Sequence, residues 1–310
     1  MQVQAAPGRA RARRQRGRGA AARAAPEANA GAFQCPTNMN TVPHPRETRR
    51  FFYEDVSRSV LAAVAAHEAA APSGGGAGLR AKAKVEIPEL NTSGDTYRIG
   101  TLLEMVRHVA TDLANDGKRV RVCVQGSMGK GVFQALPIAL SGARRVMDLM
   151  DWGPAEDFIS LGAVGAEEVK DEDDAYLIVA PQSIVGHSIL PPLMAHCEAA
   201  GPRPVVLVNA LLGDIQSADG VMTVRGRDVR DEQRASFGEI YHFHLLYNKP
   251  FMYPIYGCLR KTYGSEWEVY KRSQLKPGPG GTPREEWRFS EAFDEEPVPA
   301  QITRAVQRAV

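Results

Sequence analysis

"DAYLIVAPQSIVGHSILPPLMAHCEAAG", residues 174–201, sets an apolar run of strand length against a Pro/Ser/Gly turn and then a helix. The run is rich in Val, Ile and Leu, lacks polar alternation and is too short for a helix. Such a segment reads as a strand buried on both faces, the mark of a parallel sheet covered by helices. The following helix starts at about Pro191, passes Cys197 and stops at Gly201. The same unit recurs on either side. "RVRVCVQ" (119–125) is a strand that runs into "GSMGKG", and "RPVVLVNALLGD" (203–214) is another buried strand. The fold class is therefore α/β: a mostly parallel sheet sandwiched by helices, Rossmann-like.

The flanks follow from periodicity. Phe52, Val56, Val60 and Val64 recur every four residues within 46–70, which predicts an amphipathic helix ending at the "PSGGGAG" linker, 72–78. "AKVEIPEL" (83–90) reads as a short strand stopped by Pro88. A second helix follows, with Ile99, Leu102, Leu103, Val106, Val109, Ala110 and Leu113 as its stripe. Thr92, Ser93 or Asp95 is the expected cap and Gly117 the expected end. "SGARRVMDLMDWG" (141–153) is read as largely helical. Downstream, "FGEIYHFHLLY" (237–247) and "PFMYPIYGCLRKTYG" (250–264) are predicted as antiparallel aromatic edge strands, closed by "EWEVYKR" (266–272). These boundaries make residues 1–44 a leader, 45–272 one α/β domain, and 273–310 a linker with a short C-terminal tail.

Composition limits the function classes. In 310 residues, 44% hydrophobic, the net charge is only +2, so no overall field argues for nucleic acid, and none is expected as a partner. The four cysteines, Cys35, Cys123, Cys197 and Cys258, form no C-x-x-C pair, which points to a reducing compartment rather than a disulfide framework. Apolar runs are far shorter than a transmembrane helix needs; peripheral contact with a membrane stays open. The first 25 residues hold seven arginines and no acid, the pattern of an organelle transit peptide, although no Ser or Thr precedes Thr37; the other reading is a basic arm for nucleic acid.

In open parallel sheets, ligands bind beyond the carboxyl ends of the strands. Three loops are expected on that edge: Gly126, Ser127, Gly129 and Lys130; then Ser183, Gly186 and His187; then Asn209 and Asp214. Together they are a candidate anion or nucleotide pocket, the nucleotide being the one cofactor left open. The alternative is that Gly and Ser merely make tight turns. The first loop is not a phosphate-binding P-loop, because Gly131 stands where the hydroxyl should be and Val124 where the first glycine should be. No catalytic constellation is intact: G-x-S-x-G around Ser183 or Ser188 is missing. His242 and His244 share one strand face, but no third ligand follows nearby, so they are read as half-buried sheet histidines and no metal is expected. "TVRGRDVRDEQR" (223–234) reads as a mixed-charge surface loop.

Taken together, "KVEIPEL", "GDTYRIGTLLEMVRHVATDL", "LIVAPQ", "VVLVNALL", "DWG" at 151–153, and "GCLRKTYGSEW" with Gly264 and Trp267 resemble a plant and cyanobacterial family catalogued only as a domain of unknown function, nineteen-ninety-five in its series. The likeness covers about 45–272. That family is similar to plastid proteins that build photosystem II, and one version is fused to a plastid adenylate kinase. The resemblance implies a chloroplast protein of the stroma or thylakoid surface. It implies a non-catalytic factor in the biogenesis or maintenance of photosynthetic complexes, with complex subunits or assembly factors as partners. The aromatic edge and the arginine-rich segment would then be the contact surface. The alternative is a nucleotide- or phosphate-binding protein or enzyme using the three loops.

Overall fold

In the computed structural model, residues 33, 35–36, 39, 42–70, 78–92, 94–129, 134–215, 225–247, 255–274 and 285–308 are described. Nine strands form one sheet: β1 Arg80–Glu86, β2 Val120–Val124, β3 Ile159–Gly162, β4 Ala175–Val179, β5 Val205–Val208, β6 Gly238–Tyr247, β7 Ile255–Lys261, β8 Trp267–Gln274 and β9 Glu285–Phe293. Their spatial order is β3-β2-β4-β5-β1-β6-β7-β8-β9. Every pairing from β3 to β6 is parallel, and every pairing from β6 to β9 is antiparallel. The α/β class with antiparallel strands at one edge is thus the observed fold.

The helices are α1 Arg46–Ala70, α2 Ile99–Asn115, α3 Ala143–Asp148, α4 Leu190–Ala200, α5 Arg227–Ala235 and α6 Pro299–Arg308. On one face, α1 and α2 pack on each other and on the sheet, burying Phe52, Val56, Val60, Leu103, Val106 and Val109 against Ala81, Ala83, Val85, Tyr241 and Phe243. The Phe52 and Phe243 rings meet at 4.6 Å. One charge is buried in this layer with its counter-ion. Asp55 accepts from the Arg260 guanidinium at 3.0 Å and from the Tyr241 hydroxyl at 2.9 Å, so its lone pairs are satisfied where an unpaired carboxylate would cost several kcal/mol. On the other face, α4 covers Cys123, Tyr176, Ile178 and Leu207, α5 packs against α4, and α6 closes over Leu246, Leu259 and Val269.

Several boundaries differ from the sequence reading. Cys35, Met39 and His44 are buried, with both ring nitrogens of His44 engaged, one by Glu89 and the other by the Met39 carbonyl. Packed residues therefore lie within the segment read as leader. At the other end, β9 pairs along β8, Arg272 joins Glu285 at 2.7 Å with both side chains buried, and α6 docks on β7, β8 and β9. The expected tail is part of the sheet. β6 is antiparallel only toward β7; toward β1 it is parallel. Residues 227–235, read as a loop, are helical. No side-chain cap starts α2: the residue before it is Arg98, and the Tyr97–Arg98 stretch is tied back to Gly94 and Glu89. Gly117 ends α2 as expected, with φ +87 in the left-handed region. The linkers at 72–77 and 276–283 lie outside the described residues.

Burial also explains the thiols. All four cysteines are buried and unpaired. Burial raises the Cys35 thiol, lifts Cys123 to about 12 and Cys197 to about 11, which leaves them protonated and inert.

Candidate functional site

The carboxyl ends of β1, β4, β5 and β6 open into a cleft of about 480 Å³, a volume within the usual range for small-molecule sites. Its walls combine Val85, Leu90, Leu102 and Leu211 with Tyr97 and Tyr247, and its polar groups include Asn91, Thr92, Asn209 and, at one side, Lys84, Glu86 and His244. Two residues at its base have strained backbone. Ala180, just past β4, has φ +39, and Asn209, just past β5, has φ +51. L-residues rarely adopt this region, Asn being the more tolerant, and such strain concentrates at ligand sites. Asn209 recovers part of the cost: its Oδ1 accepts from the Val85 N–H at 2.8 Å and its Nδ2 donates to the Val85 carbonyl at 3.1 Å. The side chain thereby extends the β1–β5 ladder by one rung and holds the cleft floor. Burial lifts the Tyr97 phenol to about 12, and its hydroxyl donates to the Ala139 carbonyl at 2.8 Å.

The structure divides the predicted pocket. The three loops do share one rim. Gln125, after β2, accepts from the Gln182 N–H at 2.6 Å and donates to the Gln182 carbonyl, while Gln182 bridges in parallel to Leu211. Of the eight named residues that are described, only Asn209 lines the cleft. Gly126 and Ser127 sit beyond β2, and Gly129, with φ +88, directly follows Met128 inside the loop that the Met128–Ala135 bridge closes. Lys130 lies outside the described residues. Ser183 is buried and its hydroxyl accepts from the Ile189 N–H at 3.4 Å; Ser188 does the same for Leu190 at 3.2 Å. Both hydroxyls thus serve the start of α4. Gly186, with φ +78, turns the Ile184–His187 bridge, and the His187 ring leans on the Val185 carbonyl at 3.5 Å. Asp214 is held by α5: Arg230 meets it through two nitrogens at 2.8 and 2.9 Å and Arg234 through a third at 3.2 Å. The Arg230 hydrogen bond holds the Asp214 carboxyl below its ordinary value, and Arg234 adds to it.

What the sequence reading missed lies beside the cleft, on β1 and β6. In their parallel register Lys84 faces His242 and Glu86 faces His244. Glu86, His242 and His244 each offer one ligand atom, and the three atoms lie within 4.8 Å of one another. Glu86 pairs with both His244 and Lys84. Burial would raise the Glu86 carboxyl, but the hydrogen bond and charge of His244, with Lys84, hold it well below the carboxylate range. His242 is 6% exposed, and its Nδ1 pairs with Glu239 at 3.1 Å, which Lys82 joins from β1 at 3.1 Å. Trp267 walls His242 at 5.0 Å between ring centroids, and Lys261 sits over that indole. The third group for the histidine pair is thus supplied by a strand far away in the chain. Its signal was the alternation of "RAKAKVE", where every second residue is charged although β1 sits in the middle of the sheet.

The proposed contact surface changes as well. Tyr241 and Phe243 are core residues, Tyr263 is exposed, and Phe251 and Tyr253 lie outside the described residues. The arginines of α5 are largely engaged with Asp214 and Asp231. Among the described residues no helix is long and apolar enough to cross a membrane. A family model described as "Domain of unknown function (DUF1995)" matches residues 46–304, from α1 into α6.

Proposed function

This chain belongs to the DUF1995 family, and from that premise we propose that it is a ligand-binding protein that takes a small organic molecule into the cleft between β1, β4, β5 and α2. The observation that carries this reading is the cleft itself, built at the carboxyl edge of a parallel sheet on two strained residues, Ala180 and Asn209. Its lining suits a molecule with a flat or apolar body for Tyr97, Tyr247, Leu102 and Leu211, and a hydrogen-bonding edge for Asn91, Thr92 and Asn209. Nucleotides meet that description through the base, and they form the first panel to test. Calorimetry with AMP, ATP and NAD should give saturable binding with at least one of them. Leu211→Trp should weaken it at least about tenfold, because Leu211 is 38% exposed at the cleft and an indole there fills the space without disturbing the core. Binding unchanged in Leu211→Trp would place the ligand elsewhere.

The setting we propose is the chloroplast, in the stroma or against the thylakoid surface, with the bound ligand serving the biogenesis or maintenance of photosynthetic complexes. Support comes from the resemblance to plastid assembly proteins and from the arginine-rich leader. Fractionation of plastids and thylakoids tests it; a protein found wholly outside plastids would end this assignment while leaving the cleft reading intact.

A further inference from the structure

We propose that Glu86, His242 and His244 bind one divalent transition-metal ion at the lip of the cleft. Two imidazoles and one carboxylate are a common donor set for Zn²⁺, Fe²⁺ or Mn²⁺, and they leave coordination positions open to water or a ligand. Bonds of about 2.1 Å place tetrahedral ligand atoms about 3.4 Å apart. From a spacing within 4.8 Å, the set closes by small rotations of Glu86 and His244, each about one-third exposed.

His242 carries the inference furthest. It is more than nine-tenths buried, its Nδ1 is taken by Glu239, and its Nε2 is buried without a hydrogen-bond partner. A carboxylate on one imidazole nitrogen fixes the tautomer that bares the lone pair of the other, and it also raises the basicity of the ring. A buried acceptor left unpaired is costly, whereas a metal bond satisfies it. Trp267 packs on the ring and limits its reorientation. Glu86 is paired with Lys84, the cation that the ion displaces from it. Because Glu86 and His244 also line the cleft, an ion held by them would sit at its edge.

The test uses the full chain, stripped with EDTA and titrated with Co²⁺ by absorbance and with Zn²⁺ by calorimetry. One ion per chain is expected, together with a higher Tm when Zn²⁺ is present, since an ion that binds only the folded state stabilises it. Glu86→Gln and His244→Ala, at positions about one-third exposed, should each weaken binding at least about tenfold, and Glu239→Gln, which orients His242, by roughly tenfold. No saturable uptake, or uptake unchanged in His244→Ala and Glu86→Gln, overturns the proposal. His242→Ala is a further check but not the deciding variant, because its ring is packed. The probe is the ion alone, so a negative result leaves the nucleotide panel and Leu211→Trp to decide the cleft reading independently.

Discussion

The two faces of β1 and β6 differ as sharply as the inside and outside of a protein, although both strands sit within the sheet. On one side Ala81, Ala83, Val85, Tyr241 and Phe243 disappear under α1 and α2. On the other, Lys82, Lys84, Glu86, His242 and His244 line a polar strip between the α4–α5 layer and α6. Strands β2, β4 and β5 show no such contrast, being buried residue for residue. A period-two strand lets one stretch of chain do both jobs: one set of side chains holds the fold, and the alternate set is free to carry chemistry. The strip exists because the crossover helices cover β2, β4 and β5 and stop short of β1.

That contrast is open to measurement. Phe52→Ala removes the ring that fills the closed face against Phe243 and should cost about 3–5 kcal/mol of unfolding free energy in urea. A loss below about 1 kcal/mol would mean that this face repacks freely. Asp214→Asn, at the edge of the open side, should cost about 1.5–3 kcal/mol near pH 7, since it breaks the charged bonds to Arg230 and Arg234. Its sign with pH is fixed. The folded carboxyl titrates below its ordinary value of 3.8, so its stabilisation is present above that value and is lost as acid protonates the folded form. The gap between the wild type and Asp214→Asn should therefore close as the pH falls below about 4, and a gap that stays constant would remove the carboxylate from the explanation. Lys84→Met is the mildest change. Its pair with Glu86 is about one-third exposed, so urea unfolding should shift by no more than about 0.5 kcal/mol. A cost comparable to that of Phe52→Ala would show the strip to be a structural layer.

Much of this was legible in the chain. The Val/Ile/Leu runs at 120–124, 175–179 and 205–208, each with a glycine- or serine-bearing loop after it, dictated buried parallel strands, and the four-residue stripe of 46–70 dictated α1. Asn209 was found because a polar residue capping an apolar strand is conspicuous. Other features escaped for physical reasons. α5 has no apolar stripe to betray it, since its order rests on arginines that reach back to Asp214. β9 follows a Pro/Gly-rich segment and carries three acids (Glu285, Glu286 and Glu291), so only its pairing with β8 reveals it as a strand. Ser183, His187 and Asp214 had the right residue types for a site, but their hydrogen bonds are spent on turns and helix starts.

Local hydrophobic patterning therefore determined most of the strands and helices, because burial periodicity is a property of neighbouring residues. Tertiary structure decided which strands lie side by side. Strand pairing between β1 and β6 joins parts of the chain separated by most of the domain, and no local preference encodes that closure. For this reason the histidine pair could be read from the sequence, while the glutamate beside it became visible only in the folded sheet.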